Sequence, residues 1–135
     1  MPSEVLLVED SAGDALLIRQ ALIEALITVR LHIARDGEQA LQMLGDGNFK
    51  PDLVILDLNL PKLSGYSVLA LCLKTTPVVV FTASQNDMDE LRAMSLGARE
   101  VVHKPVVLED YKTAVCGMVR KWVEPWKTGE AALPV

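Results

Sequence analysis

The stretch VILDLNLP, residues 54–61, carries three apolar residues of strand character directly into Asp57, and apolar character then resumes until Pro61 stops regular structure. A run of this kind suits a strand buried on both faces of a sheet. The carboxylate at its end is then either a solvated terminus or a reactive group, and the rest of the chain has to decide between them.

Outward from this stretch, short strand-like runs alternate with helical patterns along almost the whole sequence. That alternation argues an α/β architecture, a doubly wound five-stranded parallel sheet with helices on both faces. The expected strands are Glu4–Val8, Val29–Ala34, Leu53–Asp57, Val78–Thr82 and Glu100–His103. The first, third and fourth are nearly continuous apolar runs and belong in the centre, whereas the second alternates and belongs nearer an edge. The expected helices are Asp14–Ile27, Gly37–Leu44, Gly65–Lys74, Asp87–Leu96 and Leu108–Trp122. Ser11 or Asp14 is available to cap the first, and Gly45, Gly47 and Gly97 follow helices where a positive φ is often needed.

With 135 residues, half of them apolar, the chain has the size and the core of one domain. Residues 1–124 are expected to form it, and residues 125–135 (PWKTGEAALPV) read as a C-terminal tail with no output domain. A net charge of -5 provides no positive field for phosphate backbones or anionic lipid, so neither nucleic acid nor a membrane is an expected partner. Cys72 and Cys116 lie far apart in helical segments, as reduced, buried thiols would. The N-terminus MPSEVLLVED has no basic leader and no stretch approaches a membrane span, which points to a cytoplasmic protein.

In open parallel sheets, functional groups collect at the carboxyl ends of the strands. Here the first strand runs into Glu9 and Asp10, the third into Asp57, the fourth ends in Thr82 and the fifth leads to Lys104 and Pro105. Three acids, a hydroxyl and an ammonium therefore converge on one edge. Carboxylates are hard oxygen ligands, and crowding them is unfavourable without a cation. Glu9, Asp10 and Asp57, with the backbone carbonyl of Asn59, suit Mg²⁺, with Mn²⁺ as a substitute. Asp57 then fits the role of a nucleophile for phosphoryl transfer, with Lys104 and Thr82 neutralising and orienting phosphoryl oxygens, and small Ala83 leaving room for the incoming group.

These residues resemble the receiver domains of two-component response regulators. The acidic pair lies in LLVED, the acceptor in ILDLNLPKLSGY, the hydroxyl in VVVFTAS and the lysine in VVHKP, and the likeness spans roughly Glu4 to Trp122. It implies a flavodoxin-like (βα)5 fold with strand order 2-1-3-4-5. It further implies a phosphoacceptor switch rather than an enzyme, phosphorylated on Asp57 by a sensor histidine kinase or a phosphotransfer protein. Slow self-hydrolysis tuned by Asn59 and Ser84, movement of Thr82 and a cis bond before Pro105 are implied as well. The family usually carries an aromatic residue three places before the lysine, where this chain has Val101, so aromatic gating is not expected to transfer. VEDSAGDALLIRQAL, the KPV run, Trp122 and Trp126 look like the regulators paired with phytochrome-type kinases, which implies a bacteriophytochrome partner and a homodimer through the last helix and tail.

Blander readings stand beside each of these. His103 alternates away from Lys104 and is expected at the surface or in packing, His32 is expected to be structural, and Tyr111 and the tryptophans serve helix packing or a partner surface. Two rival functions remain. A haloacid-dehalogenase-type phosphatase would need a second aspartate two residues after Asp57 to move a proton, and Asn59 stands there instead. A phosphorylation-independent pseudo-receiver would not need the complete residue set.

Overall fold

The computed structural model describes residues 2–72 and 76–123. The elements follow in the order β1 (Ser3–Val8), α1 (Ala12–Glu24), β2 (Val29–Ala34), α2 (Gly37–Leu44), β3 (Leu53–Leu56), α3 (Gly65–Leu71), β4 (Val78–Thr82), α4 (Asp87–Ser95), β5 (Glu100–His103) and α5 (Leu108–Trp122). All strands pair in parallel in the order β2-β1-β3-β4-β5. The three apolar runs occupy the centre and the alternating strand β2 an edge, as their composition requires.

Side chains alternate along a strand with a period of two, so each central strand feeds two cores. Val5 and Leu7 of β1, Leu53 and Ile55 of β3 and Val79 and Phe81 of β4 point to one face. There Ile18 and Leu22 of α1 and Val115 and Val119 of α5 cover them. Leu6, Val8, Val54, Leu56 and Val80 point to the other face, under Ala40 of α2, Val68 and Leu69 of α3 and Ala93 of α4. Helices α1 and α5 thus share one side of the sheet, and α2, α3 and α4 share the other. No helix among the described residues is long and apolar enough to cross a membrane.

Several boundaries differ from those expected, each for a local reason. Helix α1 begins at Ala12 because Ser11 caps it, its hydroxyl accepting the Asp14 N–H, and it ends at Glu24 before Leu26 turns to φ 58°. Helix α3 stops at Leu71, where Cys72 becomes extended at φ -70° and ψ 147°, so it is shorter than the expected span; Lys74 lies outside the described residues. Gly97 closes α4 at φ 110°, as expected, whereas Gly45 stays right-handed at -79°. Cys72 and Cys116 are both free thiols. Residues 125–135, including Trp126, lie outside the described residues.

Candidate functional site

Backbone hydrogen bonds carry the sheet one step beyond its strands, and this places the charged residues. The Glu9 N–H donates to the Ala34 carbonyl at 2.9 Å, the Asp57 N–H to the Val8 carbonyl at 3.0 Å and the Lys104 N–H to the Thr82 carbonyl at 2.7 Å. Glu9, Asp57 and Lys104 are therefore each pinned to a neighbouring strand before their side chains leave the sheet. Burial follows from this placement. Glu9 is only 2% exposed, Asp57 7% and Thr82 1%, whereas Asp10 and Asn59 face solvent.

The Lys104 ammonium is the hub. It donates to Glu9 Oε1 at 2.7 Å, to Asp57 Oδ2 at 3.1 Å and to Asp14 Oδ2 at 3.3 Å, so its three donors meet three carboxylates. Burial works against the ammonium, but its hydrogen bond to Glu9 and the charge of Asp57 outweigh it and hold Lys104 protonated well above its ordinary range. Glu9 responds in the opposite sense. Burial pushes its carboxyl up to about 7, Lys104 pulls it back and the Asp57 charge adds to the rise. The other Asp57 oxygen, Oδ1, accepts the Asn59 N–H at 3.2 Å.

One lysine does not balance this group. Carboxylate oxygens of Glu9, Asp10 and Asp57 lie within 4.8 Å of one another, a hard, all-oxygen donor set that could hold a metal ion. The surplus negative charge among buried carboxylates is the observation that makes such an ion fit.

Thr82 ends β4 with its hydroxyl accepting the Ser84 N–H at 3.2 Å, and Ala83 between them is exposed. Ser84 is tied further: its hydroxyl donates to Asp89 Oδ2 at 2.6 Å, Asp89 Oδ1 accepts from the Tyr66 hydroxyl at 2.7 Å and the Arg92 guanidinium lies 4.0 Å from the Tyr66 ring centroid. Val101 is half-buried against the apolar cluster under α3 and α4, where it offers neither a ring nor a hydroxyl. The bond before Pro105 is trans, contrary to expectation. Trans is the favoured isomer even before proline, and Lys104 reaches its three partners from it.

His103 points away from Lys104, as strand alternation demands. Its Nδ1 lies 2.8 Å from the Ser84 carbonyl and its Nε2 3.0 Å from Glu90 Oε1. The Ser84 carbonyl and then Glu90 raise its pKa above the ordinary 6.5, with Asp87 adding a smaller push. A histidine pKa raised by folding contributes stability below the unfolded value, and that contribution fades as pH rises through the folded value. His103→Ala is therefore expected to lower the urea midpoint more at pH 5.5 than at pH 9. An equal loss at both would remove the charged histidine from the account. His32 is structural as expected, paired with Glu4 beside Arg30 and stacked edge-on against Phe49 at 4.7 Å.

Two residues in the site were not anticipated. Asp14 was read as a helix cap and Tyr111 as packing or a partner surface, yet Asp14 Oδ1 accepts the Tyr111 hydroxyl at 2.6 Å while Oδ2 faces Lys104. Tyr111 is 5% exposed, so it is no surface anchor. Burial and then the Asp14 carboxylate push its phenol far above the ordinary range and keep it a donor. Burial opposes ionised Asp14, but the bonds from Tyr111 and Lys104 prevail and hold it below the usual carboxylate range. The acid sits in the first turn of α1, which signals a helix start in any sequence. Only the packing of α1 against α5 turns it toward the lysine. Trp122 is tied within the chain, its indole N–H donating to Glu100 Oε1 at 2.9 Å.

Comparison with known proteins agrees with this arrangement. The family model described as the response regulator receiver domain matches residues 5–116. The response regulator Rcp1 of Synechocystis is 37% identical over 133 residues, covering 91% of this chain and 90% of that protein. Its Mn²⁺-bound crystal structure superposes with a TM-score of 0.83. A probable methanogenesis regulatory protein, FilR2 of Methanothrix harundinacea, is 38% identical and covers 90% of this chain and 84% of its own. The phosphorylated cyanobacterial phytochrome response regulator RcpA superposes with a TM-score of 0.85 at 32% identity, over 91% of this chain and 95% of that one.

Proposed function

The chain belongs to the response regulator receiver domain family, and on that premise we propose that Asp57 is its phosphoacceptor, with Mg²⁺ as the working metal. The observation that carries this reading is the placement of Asp57: a buried carboxylate at a central strand end, bonded through Oδ2 to Lys104 and beside two further acids. In the transfer, a carboxylate oxygen of Asp57 attacks the phosphorus of a phosphohistidine. The new P–O bond forms as the P–N bond breaks, and the imidazole leaves with the bonding pair and is protonated from solvent. The product is an acyl phosphate.

Lys104 turns part of its donor set from the carboxylates to a phosphoryl oxygen, and the Thr82 hydroxyl leaves the Ser84 amide for another. Glu9, Asp10, Asp57 and the Asn59 carbonyl would hold the divalent ion. When bound, it supplies positive charge against the phosphoryl oxygens. The side chains of Asn59 and Ser84 flank the path of a hydrolytic water and set how long the acyl phosphate lasts. Movement of Thr82 and Ser84 passes through Asp89 to the α4–β5 surface, which is where a target would read the state. Val101 lets that surface move without an aromatic gate.

The input is a sensor histidine kinase, as for receiver domains generally. A phytochrome-type kinase is the reading favoured by the relatives, which include the phytochrome response regulator RcpA and a bacteriophytochrome response regulator at 34% identity. Association of two copies through α5 and the tail, and action in the cytoplasm, complete the proposal.

The test is phosphorylation of the full chain by phosphoramidate, followed by intact-mass spectrometry. One phosphoryl group is expected per chain with Mg²⁺, and none after EDTA. In Asp10→Asn, loss of one exposed oxygen ligand and its charge is expected to raise the Mg²⁺ concentration for half-maximal rate by about tenfold. No incorporation at saturating Mg²⁺ would sink the phosphoacceptor reading. An unchanged Mg²⁺ requirement in Asp10→Asn would remove Asp10 from the ligand set.

A further inference from the structure

The Lys104 ammonium has three N–H donors and all are already committed to carboxylates. A phosphoryl group on Asp57 brings new anionic oxygens to the site, so Lys104 must release one partner to meet them. The three partners are not equivalent. Glu9 is held at the shortest distance, 2.7 Å, and is almost fully buried with only the Ser11 N–H on its other oxygen at 3.2 Å, so of the neighbouring acids it is the costlier to strip of the ammonium. Asp57 carries the phosphoryl group itself. Asp14 is the most distant at 3.3 Å and the most exposed, with 27% of its side chain open to solvent.

Asp14 also has an independent partner. Tyr111, on α5, donates to its other oxygen at 2.6 Å. The phenol ring is fixed by an edge-on contact with Phe81, with centroids 5.1 Å apart, and the Phe81 ring lies beneath Lys104 at 5.8 Å. The hydroxyl is therefore aimed by β4 and α5, not by the lysine, and it stays on Asp14 when the ammonium departs.

We propose that Tyr111 and Asp14 are positioning residues for Lys104: Asp14 is the partner that Lys104 exchanges for the phosphoryl group, and the Tyr111 hydroxyl makes that exchange inexpensive by keeping Asp14 hydrogen-bonded. This rests on Asp57 being the phosphoacceptor. It carries two consequences. Without the hydroxyl, Asp14 becomes a stronger competitor for the ammonium and holds it back from the phosphoryl group. With it, phosphorylation shortens and strengthens the Tyr111–Asp14 bond, so α5 senses the state of Asp57 through a route that does not pass through position 101.

The experiment uses the full chain, phosphoramidate and Mg²⁺, with labelling rates followed by intact mass. Tyr111→Phe keeps the ring on Phe81 and is expected to label about five- to tenfold more slowly, the rate equivalent of one ordinary net hydrogen bond. The Mg²⁺ concentration for half-maximal rate is expected to stay unchanged. Asp14→Asn removes the competing charge and is expected to label at least as fast as the parent. In the double variant the penalty of Tyr111→Phe is expected to shrink to less than about twofold.

A purely structural role for the pair would slow both single variants alike, and that result overturns the proposal, as does a Tyr111→Phe rate equal to the parent's. An independent reading comes from ¹³Cζ-tyrosine NMR of the unsubstituted protein, with only Tyr66 and Tyr111 to distinguish. Beryllofluoride with Mg²⁺ is expected to shift the Tyr111 signal. A silent Tyr111 in a parent that labels overturns the exchange, whereas a parent that does not label at all overturns the phosphoacceptor reading beneath it.

Discussion

Asp57→Asn is expected to abolish phosphoryl incorporation from phosphoramidate, by at least about a thousandfold, the scale on which removal of a nucleophile acts. The substitution is nearly isosteric, so the effect separates chemistry from folding. Asparagine keeps an acceptor for the Asn59 N–H now bound at 3.2 Å. It loses the ionic bond to Lys104, but Lys104 retains Glu9 at 2.7 Å and Asp14 at 3.3 Å. Against that loss stands the relief of the buried like charge that helps raise Glu9. The two effects oppose each other, and the stability of the variant is expected to lie within about 1 kcal/mol of the parent. The Glu9 pKa is expected to fall from about 7, because the Asp57 charge is among its causes. Mass spectrometry with urea unfolding decides the matter. A variant that folds and still takes up one phosphoryl group would move the acceptor elsewhere.

A large structural effect is expected at Gly65, the first residue of α3. A Cβ there would stand 2.5 Å from the Asp57 carbonyl oxygen and 2.6 Å from the Leu58 Cα. Both are backbone atoms, so no side-chain rotation relieves the clash. The helix would have to withdraw, yet its Val68 and Leu69 are locked in the core and the Gly65 N–H donates to the Leu58 carbonyl at 3.1 Å. Gly65→Ala is expected to cost about 3 kcal/mol, at the upper end for overpacking, and to lower the thermal midpoint by about 10 °C. Phosphorylation is expected to slow as well, since the displaced backbone is that of Asp57 itself. Gly117 is the control. It lies inside α5 with nothing within 4 Å of an added Cβ, and Gly117→Ala is expected to stabilise by roughly 0.5–1 kcal/mol. Equal thermal midpoints for the two variants would refute the close approach of α3 to the acceptor loop.

Both positions fall in the stretch from Val54 to Gly65, and they were not equally legible. Asp57 could be recognised because an acid ending a buried apolar run is chemically conspicuous. Gly65 reads as the glycine that opens a helix, since a close approach between two backbones depends on where the helix packs. The same division separates the residues around Lys104. Glu9 and Asp10 lie at the end of a central strand, where a parallel sheet collects function. Asp14 sits in a helix, and its bond to Tyr111 spans 97 positions of sequence. The isomer before Pro105 is another case, because a proline admits either form and the bond is trans.

Local and periodic information thus determined the class of fold, the central strands, the two-faced core and the strand-end residues, because burial on both faces imposes an apolar run and parallel strands bring their carboxyl ends to one edge. The contacts made by helices decided the rest: which carboxylates share the lysine, that Tyr111 points inward to Asp14, and that Ser84 is tied through Asp89 to Tyr66. A strand residue's direction follows from its parity. A helix residue's partner depends on the rotation and docking of the whole helix, and only the packed tertiary structure sets those.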